Sequence, residues 1–260
     1  MSSDTLNPQY ERMALLYGAD LVALLRKKRV AVFGIGGVGG SAVEALARSG
    51  IGTLDLFDND SVSLSNLNRQ IIALHSTVGK LKVDAARERI RDIDPEILVH
   101  RHQMFYLPGN PESDAVDFSV FDYVLDAIDT VTGKIGIITA ARKAGVPVIS
   151  CMGCGNRTDP GKLSVCDLFE TKNDPLARVM RRELRRRGIT HLTVVCSAEP
   201  TIPPLLTESA PALPPGKRSV PGSTAFVPPA AGIIAASVIV RALTKFDPGA
   251  RIRGGKASES

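Results

Sequence analysis

Short apolar runs alternate with amphipathic segments through the first 150 residues of the chain. The runs are rich in β-branched and aromatic residues, which is typical of buried parallel strands. They lie at residues 29–33, 53–57, 97–100, 123–127 and 146–151. Segments with helical spacing lie at residues 8–28, 41–48, 80–93 and 134–144. This alternation predicts an α/β fold of the Rossmann-like, doubly wound type with a mostly parallel sheet.

The alternation becomes irregular after about residue 155. Two strands, an arginine-rich helix and a final apolar helix are predicted there, at residues 163–167, 192–196, 175–187 and 230–244. Seven prolines between Pro200 and Pro221 predict a loop without regular structure. We therefore divide the chain into a core over residues 1–155, a C-terminal substrate-binding extension over 156–246 and a disordered tail over 247–260.

The composition is that of a globular protein, with 44% apolar and 23% charged residues and a formal net charge of +5. No run approaches the ~18 consecutive apolar residues that a membrane helix needs. The N-terminal segment also lacks the apolar stretch of a secretory signal. We therefore expect a cytoplasmic protein that binds no membrane.

Four cysteines are too few for a disulfide scaffold in a chain of this length: Cys151, Cys154, Cys166 and Cys196. The C-x-x-C pair at Cys151 and Cys154 supplies only two of the four ligands of a structural zinc site. We therefore favour reduced thiols that hold no metal and perform no catalysis.

Five glycines lie between the first predicted strand and the helix that follows, and four of them are candidates for nucleotide binding: Gly34, Gly36, Gly37 and Gly39. In this position glycines allow a tight turn and let backbone N–H groups approach a phosphate. A helix that begins at Ser41 would add the positive end of its dipole. Asp58 ends the second strand, where a carboxylate can accept hydrogen bonds from a ribose. The pattern predicts a nucleotide site.

The polar residues downstream favour a triphosphate over a dinucleotide. Arg69 can bind phosphate oxygens with two N–H groups, and Lys82 supplies a point charge. Asp129 follows the fourth strand, at the edge of the sheet where ligands collect, and a carboxylate beside ATP suits Mg²⁺. The same segment carries Asp60 and three amides that fit hydrogen bonding to phosphate: Asn66, Asn68 and Gln70. A nicotinamide-dependent oxidoreductase, the alternative of another class, would leave Arg69 and Lys82 unexplained.

These motifs resemble the adenylating superfamily that includes the ubiquitin-activating enzymes and the bacterial sulfur-carrier adenylyltransferases. The resemblance rests on GIGGVGG, LFDND, SVSLSNLNRQ, VGKLKVDAARERI and DAIDT. It implies that Asp58 binds ribose, that Arg69 and Lys82 bind phosphates, and that Asn66 assists. It also implies that Asp129 lies at the α-phosphate with Mg²⁺, and that Arg12 of one protomer reaches the ATP site of its partner in a homodimer.

Within that superfamily, the segments SCMGCGN and PGSTAFVP are most similar to the tRNA threonylcarbamoyladenosine dehydratases. This similarity implies ATP-dependent cyclisation of a modified adenosine beside the tRNA anticodon, through an acyl-adenylate. An adenylyltransferase for a ubiquitin-like sulfur carrier shares the ATP residues but typically has a second C-x-x-C pair, which this chain lacks. A binding module that has lost catalysis is a third interpretation. The resemblance leaves open a sulfur-transfer partner and a monovalent cation.

Six arginines fall within ten residues of the predicted arginine-rich helix: Arg178, Arg181, Arg182, Arg185, Arg186 and Arg187. A solvated charged face is the usual explanation of such a run. Here Glu183 is the one carboxylate between Arg181 and Arg187. Together with the resemblance, this favours contact with tRNA phosphates through all of these arginines except Arg187.

Overall fold

The strands form one sheet in the computed structural model, which describes residues 7–205, 221–249 and Ile252. They are Arg29–Phe33 (β1), Thr53–Phe57 (β2), Leu98–His102 (β3), Tyr123–Asp126 (β4), Val148–Cys151 (β5), Leu163–Asp167 (β6) and Thr193–Ser197 (β7). Their order is β3-β2-β1-β4-β5-β7-β6. All neighbouring pairs are parallel except β6 with β7. The predicted α/β fold with a mostly parallel sheet is confirmed.

Helices cover both faces of the sheet. They are Glu11–Tyr17 (α1), Ala19–Leu25 (α2), Gly37–Arg48 (α3), Lys82–Ile93 (α4), Pro111–Asp114 (α5), Val131–Lys143 (α6), Pro175–Arg185 (α7) and Val227–Thr244 (α8). On β1, Val30 and Val32 face the core with α3, α4 and α8, whereas Ala31 and Phe33 face the core with α6. Because both faces of β1 are apolar, the strand lies fully buried at the centre of the sheet.

Several predicted helix boundaries are shifted, and α6 and α8 each begin three residues before the predicted start. The helix predicted over residues 8–28 is two helices, because Gly18 at φ +90° ends α1 in a conformation that continues no right-handed helix. The helix predicted to start at Ser41 begins four residues earlier, at Gly37. The later glycines of the run therefore belong to the first turn of α3, and the positive end of the helix dipole lies at Gly37.

The C-terminal part of the chain continues the same architecture. β6 and β7 extend the sheet beyond β5, and α8 packs along α3. The predicted boundary near residue 155 remains a prediction. Most of the proline-rich segment 200–221 and of the tail 247–260 lies outside the described residues. Among the described helices, α8 alone is long and apolar enough to cross a membrane, but half of it is buried in the core.

Candidate functional site

The glycine run turns the chain from β1 into α3 at the carboxyl edge of the sheet. Gly34 has φ +88°, and a Cβ at that position would lie 2.8 Å from the carbonyl oxygen of Ala127. A Cβ on Gly39 would lie 1.7 Å from the carbonyl oxygen of Gly34. Both positions therefore exclude any side chain, and the backbone after β1 lies directly against the backbone after β4.

A cavity of about 420 Å³ opens beside this turn. It is lined by segments that follow β1, β2, β3 and β4, so it lies at the carboxyl edge where ligands of such sheets bind. It brings together most of the predicted site residues: Gly34, Gly36, Asp58, Asp60, Asn66, Arg69, Lys82 and Asp129. Gly37 lines an adjoining cavity, and Gly39 lines neither, because it packs on Gly34.

Asp58 connects the end of β2 to the glycine run. Its carboxylate accepts the backbone N–H of Ile35 at 2.7 Å and that of Asp60 at 2.8 Å. Burial raises the pKa of Asp58, although the Lys82 ammonium and the two backbone donors act in the opposite direction. The carboxylate is thus fixed in place, and burial disfavours its ionised form, as is common at binding sites.

Lys82 and Arg69 bring positive charge to the cavity. The buried Lys82 Nζ lies 2.6 Å from Oδ2 of Asp60. The Arg69 guanidinium donates to the backbone oxygen of Ser65 and to Oδ1 of Asn68, both at 2.9 Å. These bonds hold both cations at the cavity wall, where they can bind a polyanion.

Asn66 shapes the loop between β2 and α4. Its side-chain oxygen accepts the backbone N–H of Ser63 at 3.1 Å and so closes the short 3-10 helix Leu64–Asn66. The Asn66 side chain is buried and its carboxamide lines the cavity. The residue therefore positions the loop that carries Arg69.

A buried ion pair that sequence reasoning missed lies beneath Asp129. Lys134 Nζ is 3.1 Å from Oδ2 of Asp126 and donates to the carbonyl oxygen of Cys151 at 2.7 Å, and both charged side chains are fully buried. Asp126 Oδ1 also accepts the backbone N–H of Ile128 at 3.3 Å. The pair thus holds the turn that presents the exposed Asp129. The sequence signal for this pair was the spacing between Asp126, at the end of a strand, and Lys134, in the helix that follows.

An aromatic wall, also missed, closes one side of the cavity. The rings of Phe33 and Phe57 stack with centroids 4.2 Å apart, and Tyr106 meets Phe33 edge-on at 5.1 Å. All three are buried and line the cavity. The apolar run at residues 104–106, directly after the third strand, was the signal in the sequence.

A second cavity, also of about 420 Å³, adjoins the first. The two share five lining residues: Arg69, Gln70, Ala127, Ile128 and Asp129. Its far side is formed by the turn at residues 153–155, by Arg157 and by Asp174 at the start of α7. Two ligands bound in these cavities would therefore meet beside Asp129.

The cysteines lie close to this second cavity. Cys154 lines it, and burial raises the pKa of the Cys154 thiol to about 11. The Cys166 and Cys196 sulfurs lie 3.2 Å apart on neighbouring strands, and burial raises the pKa of Cys166 to about 12. Cys154 and Cys166 are therefore protonated at neutral pH and poor nucleophiles. Within the described residues, no group of three or more His, Cys, Asp or Glu side chains could hold a metal ion.

The arginines of α7 have different environments. Glu183 forms ion pairs with three of them, which are Arg182, Arg186 and Arg187. Arg181 donates to Thr171, and Arg185 lies over the ring of Phe169 at 5.0 Å. Arg178 is exposed, and its side chain has no hydrogen bond or ion pair with the described part of the chain. One carboxylate thus contacts half of the cluster but neutralises only one of its six charges, and neither Arg178 nor Arg185 pairs with it.

Arg12, the remaining predicted site residue, is not brought to the site within one chain. It lies exposed on α1, and it lines neither cavity. The adjacent Leu15 and Leu16 are 73% and 66% exposed, which is unusual for two large apolar side chains on one short helix.

Comparisons with known proteins agree with this geometry. The ThiF family matches residues 9–253. The tRNA threonylcarbamoyladenosine dehydratase of Bacillus subtilis is 40% identical over 251 residues, which cover 91% of this chain and 95% of that protein. The Escherichia coli dehydratase is 41% identical over 70% of this chain and 68% of that protein. A crystal structure of the E. coli enzyme in complex with ATP has a TM-score of 0.80 and 33% identity, and covers 94% of this chain and 97% of that one. The chain therefore belongs to the ThiF family, and its expected resemblance to the tRNA threonylcarbamoyladenosine dehydratases is confirmed.

Proposed function

We propose that this protein is an ATP-dependent tRNA threonylcarbamoyladenosine dehydratase. The observation that carries the proposal is the pair of adjoining cavities that meet at Asp129, in a chain that matches such enzymes over nearly its whole length. One cavity would hold ATP and the other the threonylcarbamoyl group of the modified adenosine. The reaction needs both ligands in contact, because the carboxylate of one attacks the other.

The first cavity suits ATP in one orientation. The Asp58 carboxylate accepts the ribose hydroxyls, while the N-terminus of α3, Arg69 and Lys82 bind the phosphates. The aromatic wall supplies a flat apolar surface for the base. This places the α-phosphate towards Asp129 and the second cavity.

The site also fits Mg²⁺. This ion prefers one or two carboxylates together with phosphate oxygens, and Asp129 is an exposed carboxylate at the proposed phosphate end. When bound, the ion would neutralise part of the phosphate charge. Asp129 would hold it, and no larger set of ligands from the protein is needed.

The proposed chemistry has two steps. In the first, an oxygen of the threonine carboxylate bonds to the α-phosphorus of ATP, and pyrophosphate leaves with the electron pair of the broken P–O bond. In the second, the ureido nitrogen attached to the base bonds to the acyl carbon, AMP leaves with the electrons of the C–O bond, and the nitrogen gives up its proton. Arg69 and Lys82 stabilise the charge that develops on the phosphates. Neither of the two steps needs a protein nucleophile or a sulfur donor.

The arrangement of α1 supports a homodimer. Its exposed leucines would be covered by a second copy, and Arg12 beside them would then reach the partner's ATP. A third cationic side chain would thus be added to the triphosphate site. We place the dimer in the cytoplasm, where its tRNA substrate is found.

The proposal is tested by incubating the full-length protein with tRNA that carries threonylcarbamoyladenosine, ATP and Mg²⁺. Mass spectrometry of the nucleosides should show loss of one water from the modified adenosine, together with one AMP for each product. Unchanged nucleoside with a protein that binds ATP would contradict it. Pyrophosphate exchange that requires a Gly-Gly-ended carrier protein, and ignores tRNA, would instead identify a sulfur-carrier adenylyltransferase.

A further inference from the structure

Two residues that line the second cavity each have a buried polar atom without a hydrogen-bond partner. Within the described residues, three buried side-chain nitrogen or oxygen atoms lack a hydrogen bond, and they are Gln70 Oε1, Arg87 Nε and Arg157 Nε. Gln70 and Arg157 both line the second cavity, whereas Arg87 lines neither cavity. Because buried polar atoms nearly always have partners, two such atoms at one cavity point to a ligand that supplies them.

The remaining N–H groups of Arg157 fix its position. Its Nη1 donates to the carbonyl oxygen of Ser197 at 2.5 Å, and its Nη2 donates to that of Asn173 at 3.4 Å and lies 3.5 Å from Asp174 Oδ2. The side chain is 1% exposed. The guanidinium is therefore held between the end of β7 and the start of α7, and Nε is the guanidinium nitrogen that these bonds leave without a partner.

Both oxygens of the Asp174 carboxylate have partners within the protein. It accepts the N–H of Gly153 at 3.2 Å and that of Ala177 at 3.0 Å, so it caps α7 and holds the turn that lines the cavity. It balances the Arg157 charge and leaves that residue's Nε–H as a directed donor. An anionic ligand is thus not required for charge balance.

Gln70 lies where the two cavities meet. It lines both of them, and its side chain is 6% exposed. Its backbone is fixed by a hydrogen bond from its N–H to Asn66. Its unpartnered Oε1 is an acceptor on a residue that lines the same cavity as Arg157.

We propose that Arg157 and Gln70 bind the ureido group of the threonylcarbamoyl side chain. This inference rests on the proposed function and assigns two residues to its acceptor substrate. A ureido group offers a carbonyl oxygen for the Arg157 Nε–H and an N–H for Gln70 Oε1. The N–H that Gln70 accepts is the one beside the threonine Cα, because the nitrogen attached to the base must remain free to attack the acyl carbon. Both atoms are covered in the structure, so the cavity wall moves slightly when the substrate binds.

The two proposed hydrogen bonds would orient the substrate for ring closure. With the ureido plane held between Arg157 and Gln70, rotation about the bonds to the threonine carboxylate is restricted. The acyl carbon and the base-side nitrogen then stay within bonding distance, which raises their effective concentration. The two residues are positioning residues of the substrate and leave the chemistry of ATP unchanged.

The first test compares Arg157→Lys and Gln70→Met with Arg87→Lys in the full-length protein. Lys keeps the charge of Arg157 and lacks Nε–H, and Met approximates the shape of Gln70 without its acceptor. We expect each of the two cavity variants to lower kcat/KM for the modified tRNA roughly tenfold to a hundredfold, and Arg157→Lys, which does not line the first cavity, to retain ATP affinity. Arg87→Lys removes an equally unpartnered Nε outside the cavities and should leave kcat/KM unchanged. Equal losses in all three variants would overturn the assignment.

The second test separates recognition from folding. Anticodon stem-loop RNA carries either threonylcarbamoyladenosine or an analogue with CH₂ in place of the ureido N–H beside the threonine Cα. The wild type should bind the analogue about tenfold more weakly, and Gln70→Met should bind both equally. Equal binding of the two RNAs by the wild type would overturn the inference, even if dehydration itself proceeds. Failure of the wild type to dehydrate the natural RNA would instead contradict the proposed function.

Discussion

The Lys82 ammonium lies 2.6 Å from the Asp60 carboxylate and 3.9 Å from that of Asp58. Lys82 is the first residue of α4, an end of a helix that disfavours a positive charge. It is also buried, so the two carboxylates are what keeps its charge favourable. Binding of a triphosphate would replace one of these partners by a phosphate oxygen.

Loss of this charge should therefore impair catalysis more than folding. We expect Lys82→Met to lower the rate of ATP-dependent dehydration by roughly 10²–10³, as removal of a charge-stabilising group does in other enzymes. The rate is measured by mass spectrometry of the tRNA product. Lys80→Met is the matched control, because Lys80 is exposed and pairs with Glu88 away from the cavity. Similar rates for the two variants would argue against a phosphate-binding role for Lys82.

ATP binding should weaken with acidification at a higher pH than an ordinary aspartate would cause. Burial raises the pKa of Asp58, so its carboxylate gains a proton above the usual range near 4 and ceases to be a purely accepting group. The same shift means that Asp58 contributes to folding stability at low pH, and that this contribution is lost as pH rises through its raised pKa. Calorimetric titration with ATP at several pH values measures the pH dependence of ATP binding. Asp58→Asn should bind ATP about tenfold more weakly. If ATP affinity depends on pH in the same way in this variant and in the wild type, a group other than Asp58 causes the dependence.

The buried pair of Lys134 and Asp126 should be important for stability. We expect Lys134→Met to reduce the free energy of unfolding by about 3–5 kcal/mol, because it leaves the Asp126 charge without its partner. Adding Asp126→Asn removes that charge and should restore part of the loss. Urea denaturation of both proteins measures the difference. A double variant no more stable than Lys134→Met would show that the unpaired charge is not the cause.

The two available arginines of α7 should contribute to tRNA binding. Arg178→Ala combined with Arg185→Ala should weaken tRNA binding and reduce the slope of log K against log salt by about one for each phosphate that the protein no longer neutralises. ATP affinity should not change. Arg91→Ala, on the exposed surface of α4, is the control. If the slope of log K against log salt equals that of the wild type, the RNA does not contact Arg178 and Arg185.

Two inactive variants should restore activity to each other if Arg12 acts across a dimer. We expect Arg12→Ala and Arg69→Ala each to lose most of the dehydration rate. Mixed and allowed to exchange subunits, they should regain about a quarter of the wild-type rate, because half of the dimers then carry one intact site. The rate of the mixture is compared with that of each variant alone. Absence of any gain in dimers shown to be mixed would place Arg12 outside the partner's site.

Much of this arrangement followed from local sequence patterns. The central strands β1, β2 and β4 contain short apolar runs, and the boundaries of β1, β2 and β6 were predicted to the residue. Gly34, Gly36, Asp58 and Arg69 were predicted from their spacing after a strand, and the structure brings them to one cavity. Gly18 and the early start of α3 were missed, since both depend on backbone conformations that tertiary packing selects.

By itself, the sequence determined the fold class, the family and most of the residues that line the first cavity, because each of these depends on residues close together along the chain. Only the tertiary structure decided that Arg157, which follows β5, lies beside a cavity shared with Gln70 from the loop before α4. It also decided that Glu183 pairs with three of the arginines in and just after α7. Such relationships join segments far apart in sequence, and their distances are set by how the strands order in the sheet, which no local pattern encodes.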